Sequence, residues 1–451
     1  MSEVLRSVGL DVGTTSTQLI VSKLTVENRA SSFAVPEMEI ARREILYKSP
    51  VHFTPLLDES HVDSEALRQL VEAEYRHAGI HRDSVDTGAV IITGETSRKE
   101  NARAVMEALA DLAGDFVVAT AGPDLESVLA AKGSGAVEFS QKTGKTVIHM
   151  DIGGGTSNLS HIRDGKILQT TCLNVGGRLI KFDESAIITY VSPVLKGLCD
   201  VNVGERAQPE KLEKVAEILV QALEMAAGLR QPTELLAKLT TEEAVSSWEI
   251  PTERAVVSFS GGVADCIDRE QTWKLFGDMG PILGRAIRES RLCQGEYVLG
   301  SETIRATVIG AGCHSAQLSG STVFHRNIVF PLKNVPVVNL PRGDRETIRR
   351  ELQKQEGAAV LAMPGISSPS YREVAALAEE ILAGAGAGEI LLCLEQDMAK
   401  ALGQALAVRS HPQARILCLD RVKIPEGSYL DVGAPVGPAL PVVVKTLILS
   451  K

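Results

Sequence analysis

The feature that most constrains this chain is a corner that it writes twice. GLDVGTTSTQLIVSKL (9–24) and HMDIGGGTSNLSHIRDGK (149–166) each run an apolar strand into an aspartate, turn on glycine and hydroxyl residues, and resume with strand character. Glycine lets a backbone turn closely around an anion while successive N–H groups point into the concavity. The first corner supplies Gly13, Thr14 and Thr15 for this, the second Gly153, Gly154, Gly155 and Thr156. An aspartate at a strand end suits hydrated Mg²⁺, which takes carboxylate, water and phosphate oxygens; Asp11 and Asp151 hold those positions. Two such corners facing each other would clamp a β/γ-phosphate and its metal between two half-sheets. In AVVSFSGGVADCI (255–267), Gly261 and Gly262 would offer bare backbone for adenosine to lie against.

Other phosphate-binding designs fit less well. A P-loop needs G-x-x-x-x-G-K-[ST], and the stretch ending Gly144-Lys145-Thr146 has Phe139 where the first glycine belongs. Gly310-Ala311-Gly312-Cys313-His314-Ser315 approaches the dinucleotide motif G-x-G-x-x-G but places serine at its third glycine.

Between and after the corners the pattern alternates strand and helix, which argues for an α/β fold. Residues 35–62 contain three prolines and read as a loop-rich insertion with short edge strands. SEALRQLVEAEYRHAGI (64–80), ENARAVMEALADLAG (100–114) and AGPDLESVLAAKG (121–133) read as helices, as do 209–228, 232–240 and 371–384. Asp164-Gly165 marks a hairpin turn. The stretches 255–267 and 304–318 both read as strand, glycine turn and helix. Beyond residue 327 the texture becomes that of a compact third α/β unit. The expected division is 1–140, 141–326 and 327–451, in keeping with about two or three domains for 451 residues.

Composition narrows the partners. A net charge of −10 argues against nucleic acid or an anionic membrane as the main partner. Seven scattered cysteines without a C-x-x-C pair fit reduced thiols packed as small hydrophobes. No stretch reads as a signal peptide or a membrane span, so a cytoplasmic location is expected. The nine histidines show no metal-ligand spacing.

Taken in order, DVGTTST, DIGGGTSN and FSGGVAD resemble the two phosphate loops and the adenosine loop of the actin-like ATPase superfamily. AGPDLESVLAAKGSGA (121–136) and VIGAGCHSAQ (308–317) resemble its two connecting hinge helices. That resemblance implies two ribonuclease-H-like domains around a nucleotide cleft, with the C-terminal α/β unit added. FAVPEMEIARREILYKSPVHFTPLL, ITGETSRKENA, CLNVGGRLI and the ending PVVVKTL extend it over the whole chain. They resemble the ethanolamine ammonia-lyase reactivating factor family, specialised ATPases that help a cobalamin-dependent lyase exchange damaged cobalamin for intact coenzyme. The family serves ethanolamine catabolism, often inside a bacterial microcompartment.

The resemblance implies ATP and Mg²⁺ as ligands, with Asp11 and Asp151 on the metal. Gly13, Thr14, Thr15, Gly153, Gly154, Gly155 and Thr156 would take the phosphates, and Gly261 and Gly262 the adenosine. It implies ethanolamine ammonia-lyase as protein partner, with self-association left open. Asp124 lies near the place where related ATPases orient attacking water, and Glu95 in TGET is a second candidate. Both positions also suit helix-start carboxylates with no catalytic duty. Chaperone ATPases often carry aspartate two residues after the GGGT threonine; here Asn158 stands there, which cannot accept a proton and so implies slow hydrolysis. A small-molecule kinase and a cytomotive filament remain the alternatives. The unit after residue 327, lying beyond the nucleotide motifs, is expected to contribute lyase-contacting surface.

Overall fold

The first corner folds as a hairpin: β1 (Glu3–Val12) and β2 (Ser16–Asn28) pair antiparallel from Glu3↔Val26 to Val12↔Thr17. The computed structural model describes every residue except 1–2, 14–15, 29–37, 59–60, 82–83, 93–108, 110–116, 121–122, 242–247, 252–254, 315–316, 320–321, 356, 387–388, 423, 425–427, 436–438 and 447–451. β3 (Met38–Lys48) and the short β4 (His52–Phe53) both pair with β2. After α1 (Ser64–His77), capped by the Asp63 side chain at Ala66 N–H, β5 (Thr87–Ile92) joins β1 in parallel. β6 (Val117–Thr120) then joins β5, giving the order β3-β2-β1-β5-β6. β5 is buried along its whole length, as a parallel strand covered on both faces must be.

The second corner repeats this topology. Past α2 (Pro123–Gly133) and α3 (Ala136–Thr143), β7 (Val147–Ile152), β8 (Ser157–Arg163) and β9 (Lys166–Leu173) form the antiparallel half. Asp164 and Gly165, both at positive φ, turn the β8–β9 hairpin where the D-G pair foretold it. A small hairpin, β10 (Ile180–Phe182) with β11 (Ile188–Val191), follows, then α4 (Pro209–Ala226) and α5 (Glu234–Leu239). β12 (Val256–Ser260) joins β7 in parallel and, beyond α6 (Gly280–Glu289), β13 (Tyr297–Leu299) joins β12. The order β9-β8-β7-β12-β13 matches that of the first sheet. This is the ribonuclease-H-like arrangement built twice. Its largest core lies under the second sheet, where Leu212, Leu219 and Leu223 of α4 pack with Ile152, Leu159 and Phe259.

A third sheet follows α7 (Ala306–His314). It contains β14 (Gln317–Leu318), β15 (Phe324–Arg326), β16 (Leu332–Asn339), β17 (Val360–Met363), β18 (Ile390–Leu394), β19 (Ile416–Asp420), β20 (Ser428–Val432) and β21 (Pro441–Thr446). β16 to β19 run parallel, interleaved with α8 (Arg345–Leu352), α9 (Tyr371–Ala385) and α10 (Ala399–Arg409). A reciprocal capping box between Ser370 and Glu373 starts α9.

Four local readings change. Residues 38–48 form one long strand with two register shifts against β2, because the prolines bracket it rather than interrupt it. After Ser260 the chain makes only a short 3₁₀ turn at Ala264–Cys266, and the helix waits until Gly280. The strand expected at the start of 304–318 lies upstream at Tyr297–Leu299, so that α7 begins at Ala306. β14 and β15 pair into the third sheet although they precede residue 327. The helix read at 100–114 lies almost wholly outside the described residues.

The two lobes are joined by crossed helices. α2, leaving the first lobe, packs on the second sheet, where Ser160 Oγ donates to Ser127 O at 3.0 Å. α7, leaving the second lobe, packs on the first sheet, where Ser7 Oγ donates to Gly312 O at 2.5 Å. The helices touch backbone to backbone: a Cβ at Gly133 would lie 1.8 Å from Ala306 O, and one at Gly310 would lie 2.1 Å from Leu129 O. Gly310→Ala is therefore expected to cost about 3 kcal/mol through forced helix separation, read as a lower urea midpoint; an unchanged midpoint would contradict the close crossing.

Candidate functional site

The two corners superpose in their chemistry as well as their topology. Gly13 N–H donates to Ser16 O and Gly153 N–H donates to Thr156 O, each at 2.9 Å, so both turns close with the same bond at the same spacing from the aspartate. Asp11 sits opposite Gln18 across β1–β2, and Asp151 opposite Asn158 across β7–β8. Each amide stands seven positions after its aspartate. Gln18 Oε1 and Asn158 Oδ1 are buried and have no hydrogen-bond partner among the described residues.

Asp151 is held rigidly. One carboxylate oxygen accepts from Ser260 Oγ at the end of β12, and the other from Thr307 Oγ1 in the first turn of α7 at 3.3 Å. Ser260 Oγ also meets His149 Nε2 at 3.0 Å, and His149 Nδ1 meets Ser258 Oγ at 3.1 Å. Burial pushes the His149 pKa down to about 3, so the ring is neutral. With the serine hydroxyl donating to Asp151, Nε2 carries the ring proton. Burial pushes Asp151 the other way, up to about 6, against the lowering effect of its two hydroxyl partners. Among the described residues its partners are two hydroxyls and no cation.

A third carboxylate completes the cluster. Glu126, in the first half of α2, is raised well above the usual carboxylate range, first by burial and then by the negative charges of Asp11 and Asp151; a hydrogen bond from Asn158 partly offsets this. Sequence reasoning chose Asp124 on the same helix. α2 does contain Asp124, in its first turn, but its side chain lies outside the described residues, as does the whole of Glu95. The signal for Glu126 was its isolation as the one charge in LESVLAA, where Ser127, Leu129, Ala130 and Ala131 are buried. Gln18 was missed because the equal offset from the two aspartates was not weighed. Thr14 and Thr15 lie outside the described residues, whereas Gly13, Gly153, Gly154, Gly155 and Thr156 stand at the turns.

Both glycine turns of the second lobe are buttressed. Gly261 has φ +86°, and a Cβ there would lie 2.3 Å from Ile152 O, so only glycine lets this loop seat against the end of β7. Gly261 N–H donates to Thr303 O and Val263 N–H to Ile152 O, and Gly262 packs loosely near Ile304. Gly177 N–H and Arg178 N–H donate to Gly153 O and Gly154 O at 3.0 and 2.6 Å. By contrast, a Cβ at Gly155 would meet nothing within 4 Å. That open face, the two amide oxygens without a hydrogen-bond partner among the described residues and the burial-raised carboxyls of Asp151 and Glu126 fit a phosphate with a hydrated divalent cation. Among the described residues no three His, Cys, Asp or Glu side chains form a metal cage.

Two ribonuclease-H-like sheets bridged by crossed helices, each bearing an aspartate-led turn, define an actin-like ATPase fold. Among solved structures the chain is similar to the Aquifex aeolicus PPX-GPPA enzyme, with a TM-score of 0.43 and 12% identity over 68% of this chain and 99% of that one. It is also similar to the ethanolamine utilization protein EutJ from Carboxydothermus hydrogenoformans, with a TM-score of 0.33 and 17% identity over 68% and 89%. The chain belongs to the ethanolamine utilisation protein EutA family, whose model matches residues 3–450. It is 36% identical to the ethanolamine ammonia-lyase reactivase EutA of Salmonella typhimurium, over 98% of each chain, and equally to that of Escherichia coli K12. Among the described residues no helix is long and apolar enough to cross a membrane.

Asp151→Asn should stabilise the ligand-free protein at pH 8 by up to about 3 kcal/mol of relieved burial cost, read as a higher thermal midpoint. The gain should shrink at pH 5, below the raised pKa, where the wild-type carboxyl is already protonated in the folded state. A gain independent of pH would contradict this picture of Asp151.

Proposed function

We propose that this protein is an ATP-hydrolysing reactivating chaperone for adenosylcobalamin-dependent ethanolamine ammonia-lyase, promoting release of damaged cobalamin and its exchange for intact coenzyme. The observation that carries this reading is the 36% identity over 98% of the chain to proteins named for that activity. It is preferred for that reason over a small-molecule kinase or a filament.

The duplicated corner supports the nucleotide half of the proposal. Asp11 and Asp151 hold the water shell of Mg²⁺, which when bound neutralises phosphate charge. Gly13, Thr14, Thr15, Gly153, Gly154, Gly155 and Thr156 present N–H and hydroxyl donors to the phosphates, and Gly261 and Gly262 line the adenosine. Glu126, its proton affinity raised, is the favoured group to orient water and take its proton. Asp124 and Glu95 stand behind it. Asn158 supplies an acceptor without basicity, in keeping with slow turnover suited to a switch. The two lobes, 1–140 and 141–326, shift their mutual angle with the nucleotide, and affinity for the lyase changes only as far as it differs between those states. The unit from 327 to 451 offers part of the lyase-contacting surface, in the cytoplasm or within a microcompartment.

The test is a lyase inactivated by tightly held damaged cobalamin, mixed with this protein, Mg-ATP and free adenosylcobalamin. Deaminase activity should return with wild type and not with Asp11→Ala. Glu126→Gln should keep nucleotide affinity while slowing hydrolysis about 100-fold. Recovery without ATP, or none at all with nucleotide binding intact, would overturn the proposal.

A further inference from the structure

The cleft has a charge deficit that its own loops do not correct. Neither GLDVGTTSTQ nor DIGGGTSNLS contains a lysine or arginine, while Asp11, Asp151 and Glu126 stand near enough to raise the last. A protein cation beside this field would favour an entering polyphosphate.

Arg178 is rooted in the second phosphate loop. Its backbone N–H donates to Gly154 O at 2.6 Å, and its stem crosses the face that Gly154 leaves bare, with Cδ and Cγ 3.1 and 3.4 Å from where a Cβ would stand. Its Nε donates to Asp278 Oδ2 at 3.2 Å. Asp278 is itself buried and fixed, since its Oδ1 accepts from Gly280 N–H at 2.8 Å at the start of α6. The guanidinium is thus pinned at one nitrogen. Nη1 and Nη2 make no hydrogen bond among the described residues, and the side chain keeps 32% of its surface exposed. A planar fork held at its base with both tips open is the geometry that grips phosphate oxygens bidentately.

Resting on the nucleotide reading above, we propose that Arg178, oriented by Asp278, is the residue that binds the nucleotide's phosphate chain from the Gly153–Thr156 side. Arg178 binds; Asp278 positions it. The competing role is purely structural, with Arg178 serving to neutralise buried Asp278. The two roles separate in ligand selectivity.

The experiment titrates the full chain, with Mg²⁺, against ATP, ADP and adenosine by calorimetry, for wild type, Arg178→Gln, Arg178→Lys and Asp278→Asn. Arg178→Gln keeps a stem over Gly154 without the charge. It should weaken ATP and ADP about tenfold or more, as loss of a charge-assisted bond does, with adenosine changed less than twofold. Arg178→Lys should recover part of the loss, and Asp278→Asn should lose less than Arg178→Gln. The salt dependence of ATP binding should flatten in Arg178→Gln. Unchanged ATP affinity in Arg178→Gln, or equal losses for ATP and adenosine together with a lowered thermal midpoint, would overturn the assignment. Wild type failing to bind any of the three would instead refute the nucleotide reading itself.

Discussion

Everything at the cleft depends on the backbone contact between α2 and α7. Each helix leaves one lobe and lies on the other, so the lobes are joined by an exchange of helices rather than by a flexible tether. The helices approach so closely that Gly133 and Gly310 have no room for a methyl group. The same helices carry the chemistry. Glu126 rises from α2, and Thr307 in the first turn of α7 holds Asp151. Any change in the crossing angle therefore moves Glu126 and Thr307 relative to one another around Asp151.

The ligand-free cleft is built against its own stability. It gathers Asp11, Asp151 and Glu126 with two orphaned amide oxygens, and burial lifts the proton affinity of two of the three carboxylates. A core assembled for stability alone would exclude such a concentration of like charge. On the proposed function, a hydrated divalent cation and a row of phosphates would offset this charge, and occupancy would stabilise the protein by mass action. The neutral His149, locked among serines behind Asp151, keeps one further charge out of the site.

Much of this was legible in the residues because the corner is local. An aspartate, a glycine and hydroxyls within six positions specify a turn whatever surrounds them, and the duplicate made the pairing of lobes readable. The D-G hairpin and the helices at 64, 209, 234 and 371 followed from equally local signals. What stayed hidden depended on packing. Glu126 is brought near Asp11 and Asp151 only by the placement of α2 against the second sheet. Residues 38–48 read as part of a loop-rich insertion with short edge strands because prolines surround them, yet pairing with the long β2 makes them one strand. The recruitment of β14 and β15 into the third sheet is likewise set by partners distant in sequence, Pro441–Val442 and Ile416–Cys418.

The most direct measurement is a crystal structure with Mg²⁺ and a non-hydrolysable ATP analogue. The account requires the metal between Asp11 and Asp151, reached through water, with phosphates on both glycine turns and adenosine beside Gly261 and Gly262. An analogue bound at one corner only, or at the strand ends of the third sheet, would contradict the claim that the two corners form a single site.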